Sequence, residues 1–218
     1  MADSALQRKN MVESQIRPSD ITDRRITAAM SDIAREAFLP AGLDKTLAYM
    51  DGAIPACTGR TLLAPRTLAR LLQLAAVQAQ DKVLIAGAAT GYSAAILSRM
   101  AKTVVALESD PGLAKTARET IKALGLGNVE VAEGPLPGGH APGAPYDVIL
   151  VEGALETVPE ALIAQLAQGG RLVAIEASQG IGHAVVITKT ALAVSSRVAF
   201  EAGASLLPGF AQPKGFVF

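Results

Sequence analysis

One twelve-residue stretch, residues 81–92, constrains the fold more than any other part of the chain. It reads Asp-Lys-Val-Leu-Ile-Ala-Gly-Ala-Ala-Thr-Gly-Tyr, which predicts a buried strand, a glycine-containing turn and then a helix. A second apolar run, residues 104–107, ends in Glu108, about twenty positions after Gly87. Glycines let the backbone approach a ligand closely, and an acid at a strand tip accepts hydrogen bonds from a ribose diol. The sequence therefore predicts a nucleotide-type cofactor site at this turn.

The middle of this turn carries alanine, at Ala89, where such loops usually carry glycine. The Cβ of Ala89 would clash if the position required a positive φ or a close approach of backbone to ligand. Two interpretations therefore stay open for residues 87–91. The turn forms a cradle for a cofactor, or it is a plain connection between a strand and a helix.

The composition excludes several classes of protein. The 218 residues are half hydrophobic and carry 20 basic and 20 acidic side chains, without a long run of like charge. This balance gives no support for binding to nucleic acid or to a membrane surface. The single cysteine, Cys57, rules out an intrachain disulfide and suits a reducing cytoplasm. With no signal-peptide core and no apolar run near the ~20 residues that span a bilayer, we expect a soluble cytoplasmic protein.

Alternating strand and helix signals after Lys82 predict an α/β fold with a mostly parallel sheet. Strands are expected over residues 82–86, 103–107, 128–132, 146–151 and 171–175, with helices over 91–100, 111–124 and 157–167. The first three strands are almost wholly apolar, which is typical of a parallel sheet covered on both faces. Residues 184–188 and 196–200 predict two antiparallel strands near the C-terminus.

Helical periodicity before the sheet predicts an N-terminal extension. Helices are expected over residues 4–17, 20–37 and 65–78, with a loop-rich stretch from 40 to 65. We therefore divide the chain into a helical extension at 1–78 and an α/β domain with a C-terminal tail at 79–218. The tail holds Phe210, Phe216 and Phe218, which we expect to dock onto the body of the domain.

An ordered set of short motifs runs from about residue 8 to residue 176. It includes Arg35-Glu36-Ala-Phe38-Leu-Pro40, Gly59-Arg60-Thr61 followed by Pro65, Val83-Leu84 with Gly87 and Gly91-Tyr92, Glu108, Leu124-Gly125, Ala144-Pro145-Tyr146-Asp147, and Gln165 through Val173. Each motif alone is weak, but their order over most of the chain is specific. In these residues the chain resembles the protein-L-isoaspartate O-methyltransferases, which are S-adenosylmethionine-dependent enzymes with a Rossmann-like fold and an N-terminal helical extension.

The resemblance implies a protein carboxyl methyltransferase that transfers a methyl group from S-adenosylmethionine to a carboxylate of an isoaspartyl residue in damaged protein. Isoaspartyl proteins or peptides are the implied partners, and the segment 59–65 in the extension would cover the substrate. No catalytic residue and no metal ligand is assigned. The implied cofactor-binding residues lie in the strand-tip loops: Gly87, Ala88, Ala89, Gly91, Glu108, Pro135, Leu136 and Glu152.

The chain departs from the family pattern at the implied site. The family reads Glu-Ile-Gly-Thr-Gly-Ser-Gly at the turn, and here Ile85 replaces the acid while Ala89 replaces the middle glycine. Four other family motifs are altered in this chain. The family's Gly-Gln-Thr and the following Ile-Ser-Gln-Pro are here Gly59-Arg60-Thr61 and Leu62-Leu63-Ala64-Pro65. The family's Gly-Asp-Gly is here Gly134-Pro135-Leu136, and its Val-Thr-Ala-Ala is here Val151-Glu152-Gly153-Ala154. Losing one hydrogen bond to a charged group costs about 1.5–3 kcal/mol, so Ile85 weakens cofactor binding without abolishing it.

Both a functional and a structural interpretation stand for the charged residues at this site. Glu108 accepts hydrogen bonds from the ribose hydroxyls of the cofactor, or it is a surface residue that caps the following helix at Pro111. Glu152 forms an ion pair with the positive sulfonium or ammonium of the cofactor, or it is a solvated loop residue. Arg60 and Arg66 bind an anionic substrate, or they lie on the surface.

Two further functions stay open beside isoaspartyl methylation. One keeps methyl transfer but changes the acceptor, because Leu63 offers no side-chain hydrogen bond where the family has serine. The other is a non-catalytic binding or regulatory module that keeps only the fold.

Overall fold

A seven-stranded sheet forms the centre of the protein in a computed structural model that describes residues 3–57, 59–178 and 181–211. The helices are α1 (Ser4–Met11), α2 (Arg24–Asp32), α3 (Pro65–Ala75), α4 (Tyr92–Ser98), α5 (Pro111–Ala123) and α6 (Glu160–Ala164). The strands are β1 (Ile54–Cys57), β2 (Arg60–Leu62), β3 (Lys82–Ala86), β4 (Thr103–Glu108), β5 (Val129–Glu133), β6 (Tyr146–Leu155), β7 (Leu166–Ser178), β8 (Ile181–Lys189) and β9 (Val194–Glu201).

The strand order is β5-β4-β3-β6-β7-β8-β9. The five strands from β5 to β7 are parallel, and β8 and β9 continue the sheet in antiparallel pairs. The prediction of a mostly parallel α/β sheet with antiparallel C-terminal strands is confirmed. The chain winds from β3 outward through β4 to β5 and then returns to β6 on the other side of β3, so the strand order reverses between β3 and β6.

Both faces of the sheet are buried. Val83 and Ile85 of β3 pack with the helices before the sheet, whereas Leu84 and Ala86 belong to a second cluster on the opposite face. Successive side chains of a strand point to opposite faces, so a strand covered on both sides carries apolar residues at every position. This explains why the first strands are almost wholly apolar.

The N-terminal extension is less regular than the periodicity predicts. The chain continues from α1 through a π turn (Val12–Ile16) and a 3₁₀ turn (Arg17–Ser19) to Asp20, which has a φ of 59°. The carboxylate of Asp23 accepts the N–H of Arg25 and sets the start of α2. The prediction of one helix over 20–37 was therefore wrong at both ends, because left-handed and extended residues interrupt the apolar stripe.

The loop-rich stretch 40–65 contains an antiparallel hairpin that was not predicted from the sequence. Ile54 of β1 pairs with Leu62 of β2, and the register shifts between Pro55 and Cys57. Such short strands, one of them interrupted by proline, leave no readable alternation. The helix predicted over 157–167 was also too long, because α6 ends at Ala164 and β7 begins at Leu166.

Among the residues that the structure describes, no helix combines the length and the apolar character that crossing a membrane requires.

Candidate functional site

The turn after β3 lies at the point where the strand order of the sheet reverses. In open α/β sheets, ligands bind beyond the carboxyl ends of the strands at such a point. Gly87 follows β3 directly, and the last paired residues, Ala86 of β3 and Val151 of β6, bring Glu152 and Gly153 to the same edge. The cleft predicted from the sequence therefore has the position that the fold gives to a ligand.

The backbone of the turn repeatedly adopts the left-handed conformation. The φ angles are 88° at Gly87, 48° at Ala89 and 92° at Gly91. The N–H groups of Gly87 and Ala88 both donate to the carbonyl of Leu107, at 2.9 and 3.1 Å, which holds the turn against the end of β4. A residue with a Cβ costs about 1–2 kcal/mol in this conformation, so Ala89 stands where glycine would be unstrained.

Glu108 ties the turn after β3 to the turn after β4. Its side chain is fully buried, and its Oε2 accepts the N–H of Ala89 at 2.8 Å. Its Oε1 accepts the N–H groups of Ser109 at 2.7 Å and Asp110 at 3.0 Å. The interpretation of Glu108 as a surface residue was therefore wrong.

Arg60 is the main partner of Glu108. The guanidinium donates from Nη1 to Oε1 at 2.5 Å and from Nη2 to Oε2 at 2.7 Å, and Nη2 also reaches the carbonyl of Gly87 at 3.0 Å. Arg60 is only 3% exposed, so its interpretation as a surface residue was wrong, whereas Arg66 forms an exposed ion pair with Asp51. The hairpin β1–β2 thus brings into the cleft a cation that compensates the charge of the buried acid.

Glu152 is buried beneath the cleft. Ser93, the second residue of α4, donates its hydroxyl to Glu152 Oε2. Burial raises the pKa of Glu152 to about 7, against the opposing effects of the Ser93 hydrogen bond and of the positive charges of Arg35 and Arg60. The interpretation of Glu152 as a solvated loop residue was wrong, and burial brings its pKa close to neutral pH.

Arg35 is a second buried cation near the cleft, and its role was not predicted from the sequence. It is 1% exposed, its guanidinium stacks 4.7 Å from the centre of the Tyr92 ring, and it donates to the carbonyl of Leu63 at 2.7 Å. Burial lowers the pKa of Arg35. The sequence signal for a role of Arg35 was its place in the motif of residues 35–40, but hydrophobic periodicity does not distinguish a buried arginine from an exposed one.

Pro135 and Leu136 follow β5 at the same edge of the sheet as the turn after β3. Pro135 precedes a 3₁₀ turn (Leu136–Gly138), and the fully buried Leu136 packs in the same cluster as Leu207 and Phe210. Phe210 therefore docks as expected, whereas Phe216 and Phe218 lie outside the described residues.

Leu207 fills the space between Gly87, in the turn after β3, and Gly153, near the end of β6, and was not predicted from the sequence. A Cβ placed on Gly87 would lie 3.1 Å from Leu207 Cδ1, and one placed on Gly153 would lie 2.5 Å from Leu207 Cγ. Leu207 is 3% exposed. Its side chain therefore occupies the face of Gly87 that a ligand would approach.

S-adenosylmethionine does not fit this conformation of the cleft. The carboxylate of Glu108 is engaged by Arg60 and by three backbone N–H groups, so no oxygen is left in a position to accept a ribose diol. The Leu207 side chain covers the glycine beside it. Which of the predicted residues hold the cofactor stays a prediction.

A cavity of about 830 Å³ lies at the opposite end of the strands. It is lined by residues at the starts of β3, β4, β5 and β6, including Lys82, Thr103, Val129 and Asp147. Because ligands of open α/β sheets bind at the carboxyl ends, this cavity is not the candidate site. The described parts of the chain contain no group of three or more His, Cys, Asp or Glu side chains placed to hold a metal.

Comparison with known proteins gives one consistent family. Residues 6–198 match the model of the protein-L-isoaspartate(D-aspartate) O-methyltransferase family. A protein-L-isoaspartate O-methyltransferase of Methanoculleus marisnigri is 40% identical over 168 residues, which are 77% of this chain and 76% of that protein. Protein-L-isoaspartate O-methyltransferase 1 of Rhodopseudomonas palustris is 39% identical over 189 residues, which are 86% and 77% of the two chains.

Solved structures share the fold at low sequence identity. A protein-L-isoaspartate O-methyltransferase superposes with a TM-score of 0.83 at 24% identity, over 93% of this chain and 66% of the other. A beta-aspartate methyltransferase from Plasmodium falciparum, in complex with S-adenosyl-L-homocysteine, gives 0.79 at 20% identity, over 91% and 97% of the chains.

These matches confirm the predicted family, the Rossmann-like fold class and the enzyme class of S-adenosylmethionine-dependent protein carboxyl methyltransferases. The family model spans most of the chain, and the two relatives are 40% and 39% identical over 77% and 86% of it. The chain belongs to the protein-L-isoaspartate(D-aspartate) O-methyltransferase family.

Proposed function

We propose that this protein transfers a methyl group from S-adenosylmethionine to a carboxylate of isoaspartyl residues in proteins, and that it does so in the cytoplasm. One observation carries the proposal beyond family membership. The left-handed turn at residues 87–91 is joined to the buried acid Glu108 through the Ala89 N–H, so strand, turn, helix and acid keep the arrangement of a nucleotide-type site. The single cysteine supports a reducing compartment.

The proposal assigns roles to the two parts of the chain. The cofactor-binding residues are those predicted from the sequence, which lie in the turn after β3, at the end of β4, in the loop after β5 and, for Glu152, near the end of β6. The extension at 1–78 covers the substrate, and its hairpin β1–β2 places Arg60 beside the turn. Because Glu108 and Gly87 are covered in the conformation described above, the reaction requires a rearrangement that exposes both.

The proposed function is tested by methyl transfer from radiolabelled S-adenosylmethionine to matched peptides. We expect at least tenfold more label in a peptide with one isoaspartyl residue than in the same peptide with normal aspartate. Arg197→Ala serves as a control for handling and folding, because Arg197 is exposed on β9, the edge strand that is farther from β3 in the sheet. Its activity should match the unmodified protein.

Two other results would overturn the proposal and separate the alternatives. Label in both peptides alike, or in neither despite measurable binding of S-adenosyl-L-homocysteine, would indicate a different methyl acceptor. Absence of both S-adenosyl-L-homocysteine binding and methyl transfer, in the unmodified protein and in variants that lack the Leu207 side chain, would indicate a non-catalytic module.

A further inference from the structure

The segment at residues 205–210, here named the strap, pairs with β6 through an isolated parallel bridge between Ala154 and Leu206. The Ala154 N–H donates to the carbonyl of Ser205 at 2.8 Å, and the Leu207 N–H donates to the carbonyl of Ala154 at 2.9 Å. The residues of β3 pair with β6 only as far as Val151, and β7 occupies the other edge of β6. The strap therefore runs along β6 past the end of β3, which is the edge where the cleft lies.

The sequence of the strap explains why its backbone turns sharply after Leu207, so that the Leu207 side chain lies in the cleft. Leu207-Pro208-Gly209-Phe210 has proline and glycine at the central positions of a type II turn, and Gly209 has the positive φ, 82°, that this turn requires. The Phe210 N–H closes the turn on the carbonyl of Leu207 at 3.3 Å. Leu207 and Phe210 are both buried, whereas the neighbouring Leu206 is 40% exposed.

Gly153 shows that the cleft is shaped around Leu207. Unlike Gly87, Gly153 does not have a positive φ, so its backbone conformation does not require glycine at this position. A Cβ at this position would lie 2.5 Å from Leu207 Cγ and 2.6 Å from Cδ2, closer than real side chains approach. The family pattern has alanine here, so the missing methyl group makes room for the strap.

The hairpin β1–β2 covers the same glycine from the other side. Arg60 Nη2 donates to the carbonyl of Gly87, and the hydroxyl of Thr61 lies 3.4 Å from the hydroxyl of Ser205. Hairpin and strap thus meet over the turn after β3, and Leu207 and Arg60 together fill the space in front of Gly87.

We infer that the strap is a displaceable plug of the cofactor cleft, so that the protein exchanges between this closed form and an open form that binds S-adenosylmethionine. The inference rests on the proposed function, because it assumes that the cofactor binds at residues 87–91. A ligand that binds only the open form has an apparent affinity reduced by the fraction of molecules that are open. Weakening the plug must therefore strengthen binding without any new contact to the ligand.

The test measures binding of S-adenosyl-L-homocysteine to the full chain by calorimetry. Leu207→Ser removes the plug, and Leu206→Ser changes the exposed neighbour on the same strap. We expect Leu207→Ser to bind at least tenfold more tightly than the unmodified protein and Leu206→Ser to bind within twofold of it. Gly153→Ala provides a second route, since its methyl group would push Leu207 out of the cleft while leaving the strap sequence intact, and we expect the same gain.

Hydrogen exchange gives a readout that does not depend on activity. Adding S-adenosyl-L-homocysteine should speed exchange of the Leu207 and Ala154 amides, because both lose their partners when the strap leaves. Equal affinity in all four proteins with unchanged exchange would overturn the plug and leave the proposed function intact. Absence of binding in all four, together with absence of methyl transfer, would overturn both.

Discussion

Arg60 and Glu108 form a bidentate ion pair in which the two side chains are only 3% and 0% exposed. Removing one partner of a buried pair leaves an uncompensated charge, which costs about 3–5 kcal/mol. We therefore expect Arg60→Ala to lower the free energy of unfolding by that amount, measured by urea denaturation.

Arg66→Ala is the matched control for this prediction. Arg66 also pairs with an acid, Asp51, at 3.0 Å, but its side chain is 55% exposed. Exposed pairs contribute about 0–1 kcal/mol, so the loss should be small. Similar losses in the two variants would show that Glu108 is satisfied by its backbone partners alone.

The second prediction concerns the stability cost of the left-handed conformation of Ala89. Replacing a buried alanine with glycine loses about 0.8 kcal/mol of burial and about 0.5–1 kcal/mol of backbone entropy. At Ala89 this loss is offset by relief of about 1–2 kcal/mol of strain, so Ala89→Gly should leave the stability nearly unchanged. Its neighbour Ala88 is equally buried but outside the left-handed region, so Ala88→Gly should cost about 1–2 kcal/mol. Equal losses, measured by thermal unfolding, would contradict the argument.

Glu152 makes the stability depend on pH. Its pKa is about 7 in the folded protein, because burial disfavours the charged form, against an ordinary value of 4.5. Between these values the folded protein holds a proton that the unfolded chain has released, so the free energy of unfolding falls as the pH rises from about 4.5 to 7. The fall amounts to about 3 kcal/mol and is complete above pH 7.

Glu152→Gln should remove most of this fall, because the amide does not titrate and can still bond with Ser93. The measurement is urea unfolding at pH 5 and pH 8. Glu133→Gln is the control, since Glu133 is 43% exposed in its pair with Arg118 and should keep the pH dependence of the unmodified protein. A Glu152→Gln variant that loses as much stability as the unmodified protein between these pH values would refute the assignment.

The sequence predicted the sheet well because its signals are local. An apolar strand such as β3 and the glycines of the following turn are visible within a dozen residues, and the fold then places them at a predictable edge. The ordered motifs identified the family for the same reason.

The contents of the cleft were not predictable in this way, because the contacts that fill it join residues far apart in the chain. Arg60 meets Glu108 across 48 positions, and Leu207 reaches Gly87 from the other end of the chain. Nothing in the sequence near Arg60 distinguishes a buried ion pair from a surface arginine. The turn signature of residues 207–210 was readable, but the surface on which it docks was not.

Ala76, at the end of α3, gives a final prediction that is independent of the cleft. It is exposed and has a φ of 46°, while Arg171 donates to its carbonyl at 2.7 Å and so holds the helix end in place. Helices that end in a left-handed residue usually carry glycine there, since glycine avoids the steric cost of a Cβ. Ala76→Gly loses no buried surface and should therefore raise the free energy of unfolding by about 0.5–1 kcal/mol. The exposed Ala161 lies within α6, where the same change should lower stability by about 1 kcal/mol, so urea unfolding of the two variants should give shifts of opposite sign.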